Sequence, residues 1–244
     1  MNIPSQFLNC VKVLGYKSAS LFVALLGLFS FFRHTIQAET VGKVDVGAAF
    51  IHLDILESGH TVKTIDMPAI RADANYCFWK GFYIKPTVLY GNGGSKKGGI
   101  FTGGLGLGHY TPLNSCFAVA PSIGIQYTHI WTRVDFPFFA LENLQEKFKS
   151  WSPYLALELY YTFTPGWRLS GSYQYAWSRT KTTIEHIVKN SKSKADGPNY
   201  GILLEHDLND QWSLNLGAAY NISLSKEKHG IRASGVKFGV ARWF

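Results

Sequence analysis

The sequence WRLSGSYQYAWS, at residues Trp167–Ser178, places apolar and polar side chains at alternate positions. Its odd-numbered residues are Trp, Leu, Gly, Tyr, Tyr and Trp, whereas its even-numbered residues are Arg, Ser, Ser, Gln, Ala and Ser. A period of two indicates a β-strand, because successive side chains of a strand point to opposite faces. A second stretch, WSLNLGAAYNISL at Trp212–Leu224, repeats the pattern with Trp, Leu, Leu, Ala, Tyr, Ile and Leu on one face.

The composition of the two faces predicts the environment that each one meets. A soluble barrel fills its interior with bulky residues, but here the bulky face carries Trp and Tyr at its ends, and the other face is small, polar or charged. An outer-membrane barrel has this pattern, with an apolar band outside, aromatic girdles at its edges and a polar lumen. The predicted fold class is therefore all-β, an antiparallel up-and-down transmembrane β-barrel.

The N-terminal residues have the features of a secretory signal peptide. Lys12 and Lys17 precede an apolar run of 14 residues, Ala19–Phe32, and Ala38 offers a small residue for cleavage. The run is shorter than the roughly 20 residues that a spanning helix needs. We expect residues 1–38 to be a cleaved signal peptide and residues 39–244 to be the barrel, with 21 Lys and Arg against 16 Asp and Glu. This mild basicity does not predict nucleic-acid binding.

Turn signals divide the remaining chain into ten strands, an even number as such barrels require. Short turns are predicted near 79–81, 112–115, 164–166 and 208–211, and the connections between them are mostly longer and more polar, at 58–61, 92–99, 132–151, 181–198 and 226–231. The predicted strands are 41–57, 62–78, 82–91, 100–111, 117–131, 152–163, 167–180, 199–207, 212–225 and 232–244.

The last predicted strand places Phe238, Val240 and Phe244 on one face. This strand resembles the C-terminal β-signal of small Gram-negative outer-membrane barrels of the ten-strand class. The resemblance implies recognition by the barrel-assembly machinery and a location in the outer membrane of a Gram-negative bacterium.

A ten-strand barrel has a backbone radius of roughly 10 Å, so side chains fill most of its interior. The inward register collects nine charged residues: Lys43, Asp45, Arg71, Asp73, Lys85, Glu158, Arg168, Glu205 and Lys237. Charges in such a mixture pair with one another to avoid the cost of desolvation. Two readings stay open, a neutral plug that closes the barrel and a narrow conductive path.

The predicted loops carry the remaining candidate surfaces. Eight lysines are expected to make a basic outer rim that attracts lipopolysaccharide phosphates or acidic host glycans: Lys96, Lys97, Lys181, Lys189, Lys192, Lys194, Lys226 and Lys228. Residues 132–151 are predicted to form a short amphipathic helix that covers the barrel mouth or lies on the membrane.

Enzymatic activity is not expected. Omptin-type proteases resemble this chain in strand count, but the local candidate Glu205-His206-Asp207 falls at the end of the barrel opposite to their site. His129 faces outward, yet it lacks the His-x-Ser arrangement of barrel-type lipid A deacylases. No cofactor or metal site is predicted.

Cys77 and Cys116 fall beside short turns, three strand spacings apart, or roughly 14 Å, which is too far for a direct bridge. They are expected to be either buried thiols or, by resemblance to the cross-linked envelopes of chlamydial-type bacteria, sites of disulfide bonds to other envelope proteins. Outer-membrane lipid, lipopolysaccharide and the assembly machinery are the other expected partners. The functional expectation is a structural or surface-interaction barrel, with a narrow channel as the alternative and a hydrolase as a distant third.

Overall fold

The computed structural model describes residues 42–94, 98–136, 141–184 and 188–244. These residues form strands and turns, and no helix among them is long and apolar enough to cross a membrane. The predicted signal peptide, Lys96 and Lys97 lie outside the described residues. The strands are β1 (Gly42–Glu57), β2 (His60–Trp79), β3 (Phe82–Asn92), β4 (Gly99–His109), β5 (Thr111–Pro112), β6 (Phe117–Phe136), β7 (Leu141–Thr164), β8 (Trp167–Ile184), β9 (Val188–Asp207), β10 (Trp212–Leu224) and β11 (Gly230–Trp243).

The strands pair in antiparallel fashion and close into one barrel. Apart from β5, strands that follow one another in the chain are paired, β4 pairs with β6, and β1 pairs with β11 from Lys43 to Leu56. The two-residue β5 continues β4 along the same partner, β6. The barrel therefore has ten positions around its circumference, as the sequence predicts.

Alternation assigns one face of each strand to the outside and the other to the interior. On β10, Trp212, Leu216 and Tyr220 are exposed, whereas Ser213 and Asn215 are buried inside. The outward faces of the other strands carry the same kind of exposed apolar side chain. A barrel that is apolar outside and polar inside is suited to a lipid bilayer.

Exposed aromatic side chains lie in two bands that border this apolar surface. One band includes Trp79, Phe82, Phe163 and Trp212, and the other includes Tyr90, Trp151, Trp177 and Tyr200. Amphipathic rings favour the membrane–water interface. We take the strand segments between the two bands as the membrane-spanning segments.

The two ends of the barrel differ. At the end that we call the turn end, the connections are Lys80–Gly81, 113–116, Pro165–Gly166 and 208–211. At the opposite hairpin end, β6 to β9 continue well past the aromatic band, and β8 and β9 stay paired as far as Ile184 and Val188.

These extensions correct two predictions. Residues 132–136 and 141–151 are strand rather than an amphipathic helix, and most of 181–198 is strand rather than loop. The paired neighbour on each side satisfies the backbone groups of these segments, and Leu144, Glu146, Phe148 and Ser150 alternate with Gln145, Lys147, Lys149 and Trp151. The difference in loop length that the sequence suggests is therefore a difference in strand length.

Phe244 closes the seam between the first and last strands. Its carbonyl accepts a hydrogen bond from the Gly42 amide at 2.8 Å, and its own amide donates to the Gly42 carbonyl at 2.9 Å. The Phe244 ring lies over Gly42, where a Cβ atom would come within 2.1 Å of the ring. Gly42 therefore leaves the space that this ring occupies.

Candidate functional site

The barrel interior is the candidate site, because ionisable side chains from seven strands meet in its half nearer the turn end. The structure places all nine charged residues of the predicted network on inward faces and joins each to an oppositely charged member of the set. Asp207, which the prediction omits, adds a fifth carboxylate to the five cations. The network is therefore balanced in charge.

Glu205 is the centre of the cluster closest to the turn end. Its carboxylate accepts hydrogen bonds from Lys43, from Arg168 at 2.7 Å and from the Ser213 hydroxyl at 3.0 Å. Arg168 also donates to Asp207 at 2.5 Å. The strands β1, β8, β9 and β10 are joined by this cluster.

The Trp243 ring packs against Lys43 and Arg168, the two cations that bind Glu205. The ring lies 4.8 Å from Lys43 Nζ and 4.6 Å from Arg168 Cζ. Cation–π attraction at such distances favours a fixed position for both side chains. The predicted charge network did not include Trp243 or Ser213, although the period of two places both on inward faces.

Lys237 organises a second cluster on β1, β2 and β11. Its Nζ atom lies 2.8 Å from Asp45 Oδ2 and 3.4 Å from Asp73 Oδ2. Arg71 donates two hydrogen bonds to Asp73, at 2.7 and 3.0 Å, in a bidentate pair. The four side chains carry two positive and two negative charges.

A third group spans the lumen from β3 to β7. Lys85 pairs with Glu158, which also accepts a hydrogen bond from the Tyr160 hydroxyl. Because β3 and β7 are not neighbours in the sheet, the pair crosses the interior. Side chains therefore occupy the lumen at this level.

Toward the hairpin end, part of the interior is apolar. A buried cluster from β1, β2, β4 and β6 fills this side: Ile51, Leu53, Ile55, Ile65, Met67, Ala69, Ile100 and Ile130. Leu53, Ile65 and Met67 have no exposed surface. This second layer is not among the features predicted from the sequence.

The wall opposite this apolar cluster, on β7 and β8, is lined with small and polar residues. Ser150 and Ser152 on β7 bond to one another and reach Ser178 and Thr180 on β8. Nearer the turn end, Ser172 and Ala219 face inward and remain exposed. The interior is therefore filled more completely on the side of β1 and β2 than on the side of β8 to β10.

Another charged cluster lies on the outer face of β1, β2 and β11, beyond the apolar run that ends at Phe50. Asp54 accepts hydrogen bonds from Thr64 at 2.7 Å and from Arg232 at 2.7 and 3.0 Å. The Thr64 hydrogen bond and the Arg232 guanidinium hold the pKa of Asp54 below its ordinary value, against the effect of burial. His52 contacts Asp66 at 2.7 Å. The predicted site set does not include this cluster, because Asp54 and Arg232 are far apart in the chain and meet only where β1 pairs with β11.

Glu146 is a buried carboxylate on the part of β7 that extends beyond Trp151. Burial, with a smaller contribution from Glu57, raises its pKa to about 7, and Lys63 opposes the shift. A folded-state pKa above the unfolded value of 4.5 means that the folded state holds the proton more tightly. The stability that this provides is present at low pH and is lost as pH rises through 4.5 toward 7.

We therefore expect Glu146→Gln to stabilise the protein at about pH 8 by about 1–3 kcal/mol and to change little at about pH 4. Urea unfolding in lipid vesicles at both pH values measures the difference. Glu227→Gln, at an exposed turn residue, is the matched control. An equal effect of Glu146→Gln at both pH values would show that burial of a charge is not the cause.

The predicted basic rim is distributed differently from the prediction. Lys181, Lys192 and Lys194 are exposed on strands β8 and β9, whereas Lys226 and Lys228 are exposed on the turn after β10. Lys96 and Lys97 lie outside the described residues, and the side chain of Lys189 is not described.

Cys77 and Cys116 are free thiols and partly buried. Among the described residues, no group of three or more His, Cys, Asp and Glu side chains is arranged to hold a metal ion. His206, which the sequence analysis considered as a catalytic candidate, stacks on Trp167 at 4.2 Å between ring centroids.

Comparison with known proteins identifies a family and a shared fold. A family model described as outer membrane protein beta-barrel domain matches residues 21–244. No curated protein matches the chain.

Among solved structures, the outer membrane protease OmpT from Escherichia coli shares 11% identity, with 87% of this chain and 99% of that chain covered and a TM-score of 0.53. The attachment invasion locus protein Ail of Yersinia pestis shares 11% identity over 84% of this chain and 99% of its own, with a TM-score of 0.46. An outer membrane channel from Pseudomonas putida shares 10% identity over 88% of this chain and 98% of its own, with a TM-score of 0.47. The likeness to OmpT concerns the fold alone.

Proposed function

This chain belongs to the outer membrane protein beta-barrel domain family. We propose that it is a closed barrel, by which we mean a barrel whose lumen does not let ions or solutes pass, and that it has a structural or surface-interaction role in a Gram-negative envelope. We propose further that it has no enzymatic activity, that residues 1–38 are removed on export, and that the turn end faces the periplasm. The observation that carries the closed-barrel proposal is that paired charges and an apolar cluster occupy much of the interior.

The charge network supports the proposal because it joins strands that are distant in the sheet. Lys43 of β1 pairs with Glu205 of β9, and Lys85 of β3 pairs with Glu158 of β7. An ion passing between these strands would have to displace one of the paired charges, each of which holds its partner in a partly dehydrated site. The apolar cluster next to Leu53 and Met67 offers an ion no polar partner.

A narrow channel is the second candidate, and it is favoured by one observation. Ser172 and Ala219 face the interior and are exposed, so the wall formed by β8 to β10 leaves open space. If that space is continuous, ions or small solutes would pass along this wall.

Vesicle swelling separates these two functions. Vesicles that contain the refolded protein are transferred to an isotonic solution of a small sugar or an alkali salt. The closed barrel predicts the same swelling rate as vesicles without protein. Faster swelling would favour the channel and contradict the closed barrel.

The proposed partners of the barrel are outer-membrane lipid and lipopolysaccharide around it and the assembly machinery acting on the last strand. Cross-linking through Cys77 and Cys116 to other envelope proteins is a separate proposal, supported by their free thiols near the turn end. Non-reducing gels of intact envelopes test it with Cys77→Ser and Cys116→Ser combined. High-mass species in the wild type alone would support it, and a wild-type monomer would contradict it.

A further inference from the structure

Seven cationic side chains cover the outer surface of four neighbouring strands at the hairpin end. They point outward from β6, β7, β8 and β9 and form what we call the cationic wall: Arg133, Lys147, Lys149, Arg179, Lys181, Lys192 and Lys194. All but Lys147 are exposed. Several of these lysines are predicted to lie in loops, but the strands hold them in fixed registers.

The register places like charges directly opposite one another. Lys149 of β7 is the partner of Lys181 of β8, and Lys181 is the partner of Lys192 of β9. Two residues nearer the turn end on β8, Arg179 is the partner of Lys194. Like charges at directly opposed positions destabilise a sheet, since their Cβ atoms lie roughly 5 Å apart. An anion bound between them would remove this repulsion.

The described side chains around the wall supply little negative charge to offset it. Among the described side chains of these four strands, Asp196 is the one carboxylate on the outward face, and it accepts a hydrogen bond from Tyr175. The ion pairs of the described residues involve none of the seven cations. The described side chains of these strands therefore leave the positive charge of the wall uncompensated.

The depth of the wall indicates where that anion is found. On β7, Lys149 is the first outward residue beyond Trp151, and on β8 Arg179 is the first beyond Trp177. On β6, Arg133 follows Trp131 in the same way. Because the aromatic band marks the membrane interface, these cations stand beside lipid headgroups.

We infer that the cationic wall binds the phosphate groups of an anionic lipid in the leaflet at the hairpin end. In an outer membrane, these are the phosphoryl groups of lipid A. Charge-assisted hydrogen bonds from Lys and Arg to phosphate are the contacts that such an array offers. A lipid fits better than a soluble anion because the wall continues the lipid-facing surface and its acyl chains would lie on the apolar residues below Trp151 and Trp177. This inference rests on the proposed membrane barrel.

The test compares the wild type with a variant that combines Lys149→Gln, Lys181→Gln and Lys192→Gln. Both proteins are refolded into phosphatidylcholine vesicles with and without bis-phosphorylated lipid A, and the lipid A that stays bound after detergent extraction is measured by mass spectrometry. The wild type is expected to bind lipid A about 100-fold more tightly than the variant, from the usual effect of three basic residues near an anionic surface. Equal binding would overturn the inference.

Matched controls separate this effect from a general change in charge. A variant with Lys80→Gln, Lys226→Gln and Lys228→Gln also removes three exposed lysines, and it should bind lipid A like the wild type. Lipid A without phosphates should not be retained by any of the proteins. Retention of this lipid by the wild type, or equally tight binding of inositol hexaphosphate in solution, would contradict the lipid-phosphate assignment.

Gel migration before and after boiling shows whether each variant has folded. If the wild-type protein folds as a barrel in the vesicles but retains no lipid A, this inference alone would be contradicted. A wild-type chain that does not enter vesicles as a folded barrel would contradict the proposed function itself.

Discussion

Replacement of Lys237 by Met is expected to destabilise the barrel by about 3–5 kcal/mol, the usual cost of removing one partner of a buried ion pair. Asp45 would lose its ion-pair partner, and its Oδ1 atom already lacks a hydrogen-bond partner in the structure. Asp73 would keep Arg71. The main cost is therefore the isolated charge of Asp45.

Urea unfolding of the refolded protein in lipid vesicles measures this change through the transition midpoint. Lys226→Met, at an exposed turn residue, is the matched control and should leave the midpoint unchanged. Combining Lys237→Met with Asp45→Asn should restore a substantial part of the loss, because the isolated charge is then removed. A Lys237→Met midpoint equal to that of the wild type would show that the network does not stabilise the barrel.

Truncation of Leu53 to Ala is expected to destabilise the barrel by about 2–5 kcal/mol. Leu53 is completely buried in the apolar cluster with Ile65 and Met67. The truncated side chain would leave a cavity that the surrounding strands cannot close, since backbone pairing fixes them.

The control for Leu53→Ala is Leu105→Ala, on the outward face of β4, where the side chain is exposed. Lipid would fill the space left at Leu105, so a smaller loss is expected there than at Leu53. Urea unfolding in vesicles again gives both values. Equal losses at the two sites would mean that the interior cluster is not packed as the structure describes it.

The sequence predicts the membrane part of the fold because the environment imposes a period of two there. In β8 and β10 one face meets lipid and the other faces the lumen, so the alternation is visible in the residues of Trp167–Ser178 and Trp212–Leu224. The same parity places Lys43, Asp45 and Lys237 on inward faces without knowledge of their partners.

Beyond the membrane the pattern is ambiguous. Leu141, Leu144 and Phe148 are spaced by three and four residues, which is typical of a helix. Leu144, Glu146 and Phe148 also share one face of a strand. Pairing of β7 with β6 and β8 decides between the two, and one segment alone carries no information about its neighbours.

Register explains why other parts of the site were not predicted. Asp54 and Arg232 are partners on adjacent strands although they are far apart in the chain. The like-charged pair Lys181 and Lys192 becomes visible only when β8 and β9 are aligned. Sequence parity gives the face of a residue, whereas its cross-strand partner depends on how the barrel closes.

Single-channel recording in a planar bilayer tests the closed interior most directly. The wild-type barrel is compared with a variant that clears the lumen by combining Lys85→Ala, Glu158→Ala, Lys237→Ala and Asp45→Ala, a change that is neutral in charge. The closed barrel predicts a silent bilayer for the wild type and stepwise conductance for the variant. Stable stepwise conductance of the wild-type protein would contradict it.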